Sequence, residues 1–336
     1  MATRDVVSPV SRPQAAPEDE KVTPTRFPPA EKASRGHRLV VHVGLWIPGS
    51  GVALALLLTY RSLSPIQIAL MMICSIGMYV FAASGITAGF HRMLTHRSFQ
   101  AVPWLHWTLV IAGCSALQGP PIRWVADHRK HHAHSDQPDD PHSPHGHGDG
   151  WRGMLLGLWH AHTGWLLTET KAPAARFAKE WDEDPWMKRL EKKRYYLPIA
   201  LLSLIGIPAL LGFLITGDIQ GVWFGIVWIG LVRAFFLLQF TFAINSACHV
   251  VGRETFDTGD ESRDVWWLRL PTGGESNHNG HHAFPSSYRH GLGGGLDPTA
   301  ELVRWWEKRG WVYGVKRMKV ERVEEKLKLP SKINTG

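Results

Sequence analysis

Residues 64–90, SPIQIALMMICSIGMYVFAASGITAGF, run for 27 positions without a charged side chain. As a helix rising about 1.5 Å per residue they would reach about 40 Å, longer than the hydrocarbon core of a bilayer requires. The excess is expected to carry the helix out of the membrane toward His91. Three further runs share this character. Residues 39–60 are uncharged, with Pro48 and Gly49 expected to bend them, and residues 197–216 and 221–246 form a second pair across Gly217 and Asp218. Only Arg233 interrupts the last run. A mid-span arginine is costly, so it should face protein, a cavity or an interface. Residues 104–118 are apolar too, but Pro103 and the Gly119-Pro120-Pro121 break leave a stretch too short to cross, which suits a re-entrant or interfacial segment. The expected fold is therefore all-α: four transmembrane helices in two hairpins, with a helical cap on one face.

The net charge of +8 would suit nucleic acid, an anionic membrane face or a phosphate-bearing substrate. Because the basic residues alternate with long apolar runs, the bilayer is the expected partner and nucleic acid is not. The 16 tryptophans agree, since indoles favour the membrane–water interface. The two short links between spans hold one Lys or Arg, Arg61, whereas residues 1–38, 89–196 and 250–336 hold nearly all the others. By the positive-inside tendency those three segments, and both termini, are expected in the cytoplasm. Residues 1–36, with six prolines, are expected to be a disordered tail, 37–312 the main domain and 313–336 a basic C-terminal tail. Cys74, Cys114 and Cys248 are far apart and read as small buried hydrophobes.

Nineteen histidines are the compositional anomaly, and most are clustered. His91 and His96 lie in HRMLTH, His128, His131 and His132 in HRKHH, and His278, His281 and His282 in HNGHH, with His249 where the fourth span ends. Each HxxHH triplet puts three imidazoles on one helical face, because positions i, i+3 and i+4 share it. The HxxxxH pair lies about 140° apart on an ideal α-helix, so serving one metal requires a kink; otherwise the two rings serve different sides of a site. Imidazole suits iron, zinc, copper and nickel, and nine histidines suit two metals better than one. Glu275 and His278 have the ExxH spacing of carboxylate di-iron bundles, but no second ExxH occurs, so Glu275 is expected outside the ligand set. His142, His145 and His147 occupy a Pro/Gly loop and are expected to be solvated. His160 and His162 are candidates for supporting roles; His134 and His290 remain unassigned.

HRMLTH, DHRKHHAHSD and GESNHNGHHAFP, together with NSACH, DPH at 140–142, HTGWLL at 162–167 and DPT at 297–299, resemble the integral-membrane acyl-CoA (stearoyl-type, delta-9) fatty-acid desaturases over roughly residues 40–312. The resemblance implies a four-span bundle under a cytosolic cap holding a di-iron centre. It implies that His91, His96, His128, His131, His132, His249, His278, His281 and His282 are metal ligands, and that Asn245 holds a metal-bound water. Gln118, Trp124 and Thr241 match residues lining the bend of an acyl tunnel. Phe242 stands where the animal enzymes carry tryptophan, which alters the expected tunnel shape. Arg123, Arg129 and Lys130 flank the second box and are candidates for the phosphates of coenzyme A. Gly77, Ala82, Ala83 and Gly85 are candidates for the closed end of the tunnel or for close helix contacts.

The implied activity is oxygen-dependent insertion of a cis double bond, using two irons, O2 and electrons from a separate ferredoxin or small haem protein with its NAD(P)H reductase. The basic residues Arg304, Lys308 and Arg309 are candidates to attract such a carrier, or form a solvated helix face. Zinc, lacking redox chemistry, would not serve. Two other readings stay open: a histidine-box hydroxylase of the same superfamily, and a membrane metal transporter. The transporter is disfavoured because the clusters lie outside the spans rather than near the bilayer midplane.

Overall fold

A computed structural model describes residues 32–59, 63–168 and 172–328 of the chain. The expected disorder of residues 1–31, the link carrying Arg61 and the last eight positions lie outside the described residues. Among the described residues four helices are long and apolar enough to cross a membrane: Arg35–Ala55, Pro65–Thr95, Lys193–Thr216 and Ile219–His249. Their composition and length make this a membrane protein with the all-α architecture expected. In the most apolar stretch of each helix, the fourth span is 67% buried and the other three 11–22%. The fourth span is therefore the centre of the bundle, and the others turn most of their surface outward. The second span starts on a capping box in which Ser64 Oγ accepts from Gln67 N and Gln67 Oε1 accepts from Ser64 N.

Arg233 is fully buried, as its cost in lipid demands. It donates to the backbone carbonyls of Ser203 (2.9 Å), Ser115 (3.3 Å) and Ile229 (3.4 Å), and to Ser203 Oγ (3.0 Å). It thus ties the third and fourth spans to the end of the short helix Pro103–Cys114, the apolar stretch expected to be too short to cross. That helix lies against the second span at Gly85, where an added Cβ would sit 2.0 Å from Gly113 N and 2.2 Å from Ala112 C. Gly85 is thus a close-packing position. Ala82 is in the core, and Gly77 meets nothing within 4 Å.

The second span changes character near its end. From Gly85 to Thr95 it is π-helical, with His96 N bonding to His91 O five residues back. The fourth span has a π-helical segment at Ile226–Val232 and ends in a 3-10 turn at Ala247–His249. The cap contains the second-box helix Pro121–His134, the helix Gly150–His162, the third-box helix His278–Ala283 and the helix Pro298–Lys308.

Both ends of the described chain are bonded into the cap. Ala33 N donates to Leu167 O, a contact inside the stretch expected to be disordered. At the other end, Gln100–Ala101 pairs antiparallel with Val312–Tyr313, across the boundary expected at 312. Beyond it Lys316 N donates to Ser98 O, Lys326 Nζ to Ala283 O and Lys328 N to Thr255 O. Residues 313–328 thus run as a strap across the first and third boxes.

Candidate metal centre

The nine histidines fall into two adjoining groups. His91, His96, His128, His132 and His281 form one, and His131, His249, His278 and His282 the other. The π-helical end of the second span explains the first box: with bonds closing five residues apart, His91 and His96 come onto one face and enter the same group. In the second box, i and i+4 (His128, His132) aim at one group and i+3 (His131) at the other. The third box divides differently, with His281 in the first group and His278 and His282 in the second. Each triplet therefore spans both groups.

The ring nitrogens converge. His132 Nε2 lies 2.8 Å from His281 Nε2 and 3.1 Å from His128 Nε2, and His91 Nε2 is 3.0 Å from His281 Nε2. In the second group His249 Nε2 is 3.0 Å from His278 Nε2, and His131 Nε2 is 3.3 Å from His282 Nε2. The far nitrogens of four of these histidines are occupied by carboxylates: His91 Nδ1 by Glu275 (2.5 Å), His131 by Asp140 (3.0 Å), His249 by Asp136 (2.9 Å) and His282 by Asp260 (2.7 Å). A neutral imidazole carries one proton. With that proton directed at the carboxylate, the His131 and His282 Nε2 atoms face each other as bare lone pairs. Such an arrangement needs a cation between them. Two nitrogens bound at about 2.1 Å in adjacent positions of one ion lie about 3 Å apart, which fits the separations here. The donors are imidazole nitrogens without thiolate, a set suited to iron, copper, nickel or zinc.

The carboxylates were not legible as partners in the sequence, though Glu275 was expected outside the ligand set and sits behind His91. Burial opposes the charge on Asp136, yet the His249 imidazole and the Glu261 N–H hold its carboxyl at about 2. Asp140 and Asp260 are likewise held below the usual carboxylate range against burial, by His131 and His282 respectively. Glu275 is held well below its usual range, against burial, by Arg92, His290 and His91.

Several histidines depart from expectation. His142 is buried rather than solvated, 4.4 Å ring to ring from His131. The reason is Asp140, which folds the loop onto His131 and accepts from Asp136 N and His142 N. His145 Nε2 lies 2.9 Å from His249 O. His290, unassigned from sequence, is buried with its ring 4.4 Å from His281 and Nδ1 3.1 Å from Glu275. His162 bonds Ser246 Oγ and Gln239 Oε1, bracing the fourth span near His249.

The residues expected to line an acyl tunnel form a hydrogen-bonded chain. Trp124 Nε1 donates to Gln118 Oε1 (3.2 Å), and Gln118 Nε2 donates to Thr241 Oγ1 (2.9 Å). Trp124 stacks on the ligand His128 at 5.1 Å. Thr241 also lines a narrow cavity between the second and fourth spans, with Tyr79, Ala83, Thr87 and Leu237 among its walls and Glu275 at its cap end. Phe242 is buried with its ring edge toward His162. Asn245 is half-buried, one turn before His249. Of the three cations flanking the second box, Arg129 spends its donors on Thr95 O, Leu94 O, Phe177 O and Glu180. Arg123 lies 3.4 Å from Asp127 and Lys130 is half-buried on the same helix.

Four membrane-length helices capped by two all-histidine groups, each able to hold a metal ion, define the class of a membrane protein with a histidine-lined metal site. The family profile described as fatty acid desaturase matches residues 66–293. The chain is 38% identical over 281 residues (83% of this chain, 85% of the relative) to the hex-5-enoyl-[acyl-carrier protein] acetylenase of Moorena producens. It is 36% identical over 231 residues (68% and 73%) to the sn-1 stearoyl-lipid 9-desaturase of Anabaena variabilis. It is 33% identical over 277 residues (78% and 51%) to acyl-CoA desaturase 1 of Saccharomyces cerevisiae, of which it spans about half the length. The chain belongs to the fatty acid desaturase family and is a membrane desaturase, an oxidoreductase of lipid metabolism.

Proposed function

We propose that this desaturase inserts a cis double bond at the delta-9 position of a long saturated acyl chain, using two irons, O2 and two external electrons. The observation that carries the reading is the Trp124–Gln118–Thr241 chain stacked against His128, which joins a narrow apolar cavity to the histidine groups. When bound, two irons supply the oxidant that takes one hydrogen from each of two adjacent methylenes, with water as co-product. The protein's own part is positional. The nine histidines are the ligands, and Asn245 holds a metal-bound water. Trp124, Gln118 and Thr241 bend the acyl chain beside the metals, which selects the methylene pair and the cis geometry. The buried cap keeps bulk water away from the reacting carbons.

The favoured carrier is coenzyme A, met by Arg123 and Lys130 at the tunnel mouth. Arg129, the third candidate, bonds the carbonyls of Thr95 and Phe177 and so braces the cap beside that face. The names of the relatives also include acyl-carrier-protein and glycerolipid substrates, so the carrier is part of the test. Electrons come from an acidic ferredoxin or small haem protein, drawn to the exposed Arg304, Lys308 and Arg309 on the cap. The cap and both termini face the cytoplasm.

The experiment is product analysis. The full chain is expressed with a compatible donor and reductase and given saturated C14 to C18 chains on each carrier. A product two hydrogens lighter, with its double bond at a constant distance from the carboxyl end, supports the reading. A product one oxygen heavier would make the enzyme a hydroxylase. A double bond at constant distance from the methyl end would overturn measurement from the head group.

A further inference from the structure

The two histidine groups differ in what stands behind them. In the four-histidine group, three ligands donate Nδ1–H to carboxylates: His131 to Asp140, His249 to Asp136 and His282 to Asp260. Each carboxylate is fixed by neutral donors as well. Asp136 accepts from Ser143 Oγ and Glu261 N, and Asp260 accepts from Thr258 Oγ1 and Ser262 Oγ. Among the described residues none of the three makes an ion pair with Lys or Arg. In the five-histidine group one ligand, His91, has a carboxylate behind it, Glu275. That charge is offset in part by the fully buried Arg92, which donates to Glu275 Oε1 through Nε (3.1 Å) and Nη2 (2.9 Å) and is shared with Asp297, to whose Oδ1 it donates at 2.9 Å. A second guanidinium, Arg129, bonds the carbonyl of Thr95, next to the ligand His96.

Resting on the di-metal reading above, we infer that the two metal positions are unequal: the four-histidine position binds its cation more tightly and fills first, with Asp136, Asp140 and Asp260 as the positioning residues responsible. The physical reason is charge. A carboxylate behind an imidazole fixes the ring, raises the basicity of the bound nitrogen and balances the cation, and losing one such partner costs about 10- to 100-fold in metal affinity. Three carboxylates behind the four-histidine group outweigh one additional neutral imidazole, because that extra ligand brings no charge and the one carboxylate behind its group, Glu275, is paired to Arg92. The geometry also predicts which residues act independently. Asp140 and Asp136 are linked, since Asp136 N donates to Asp140 Oδ2. Asp260 comes from the loop before the third box and touches that pair only through the backbone N–H of its neighbour Glu261, which Asp136 accepts; it is the cleaner probe.

The test is a titration of the purified, metal-depleted full-length protein in detergent with Fe(II) without oxygen, and in parallel with Co(II), whose visible bands report nitrogen coordination. Acyl substrate and electron donor are left out, so failure of the desaturase reading would not affect the outcome. Two resolved steps of one equivalent each are expected. Asp260→Asn should weaken the tight step about 10- to 100-fold and leave the loose step within about threefold. Glu275→Gln should do the reverse. Retained elution volume and helical signal show that each variant is folded; if Asp260→Asn fails this check, Asp140→Asn replaces it with the same expectation. Two steps of equal affinity in the unaltered protein would overturn the inference, as would a tight step weakened by Glu275→Gln but not by Asp260→Asn.

Discussion

Gln118 joins Trp124 on the second-box helix to Thr241 on the fourth span, and its replacement by leucine isolates that link. Leucine keeps roughly the volume and removes both hydrogen bonds. Thr241 Oγ1 retains its bond to Leu237 O at 2.9 Å, so the group orphaned is the Trp124 indole N–H. A buried donor without a partner costs about 1–3 kcal/mol. Trp124 is half-buried, which places the cost toward the lower end. If the indole rotates to recover a partner, the bend it forms loosens by a similar amount. At about 1.4 kcal/mol per factor of ten, double bonds at neighbouring positions should rise about fivefold to tenfold. The assay is mass spectrometry of derivatised products, with bound metal measured on the same preparation. Metal content should hold, because the nine ligands are untouched. An unchanged positional profile at full metal content would refute the tunnel-bend reading. Loss of metal would equally refute it, because the trio would then be a support for His128.

Other expectations follow from the same contacts. His131→Ala should lower bound metal and abolish product; normal metal content and turnover would remove His131 from the ligand set. Arg92→Met leaves Glu275 and Asp297 buried beside each other without their shared guanidinium. Breaking such a network costs about 3–5 kcal/mol, and should appear as a sharply lowered melting temperature in detergent. Gly85→Ala drives a Cβ into the backbone of Ala112 and Gly113 and should lose monodisperse protein, whereas Gly77→Ala, with open space around it, should not. Arg123→Gln should raise KM for acyl-CoA with metal content intact; an unchanged KM would point to another carrier or another binding face.

The spans and the nine histidines were legible because each leaves a local mark: long uncharged runs, and imidazoles at i, i+3 and i+4. The short helix Pro103–Cys114 was legible for a related reason, since Pro103 and Gly119-Pro120-Pro121 bracket a run too short to cross. The behaviour of HxxxxH was not, because the angle it was tested against belongs to an α-helix and the segment from Gly85 is π-helical. The carboxylates behind the ligands were hidden for another reason. Asp136 and Asp140 sit in a loop rich in Asp, Pro and Gly, and Asp260 in GDES, where acidic residues are ordinary. Nothing in the spacing says that Asp136 reaches a histidine 113 positions away. The same holds for His142, which reads as a loop residue until Asp140 is seen to pull the loop onto His131. The strap at 313–328 was obscured by its composition, since a basic stretch with few large apolar side chains looks like a solvated tail.

These contacts also say how the cap is held together. The spans pack helix on helix and can form without metal, with Arg233 and the close glycine contacts fixing their approach. The cap is different. Its ligands come from four separate elements: the end of the second span, the second-box helix, the turn after the fourth span and the six-residue third-box helix. A helix of six residues has little stability of its own. Its neighbours are loops joined by isolated bridges, Arg253 to Asp264 and Asp264 to Asn277, and by the strap that reaches Ala283 through Lys326. Bare imidazole nitrogens about 3 Å apart repel one another in the absence of a cation, so this arrangement is favourable only with the metals bound. Metal binding energy would then be folding energy for the cap, as in other sites whose ligands converge only in the folded state. The membrane bundle supplies the scaffold, bound metals would draw the boxes together, and the carboxylates and the strap hold the histidines in place.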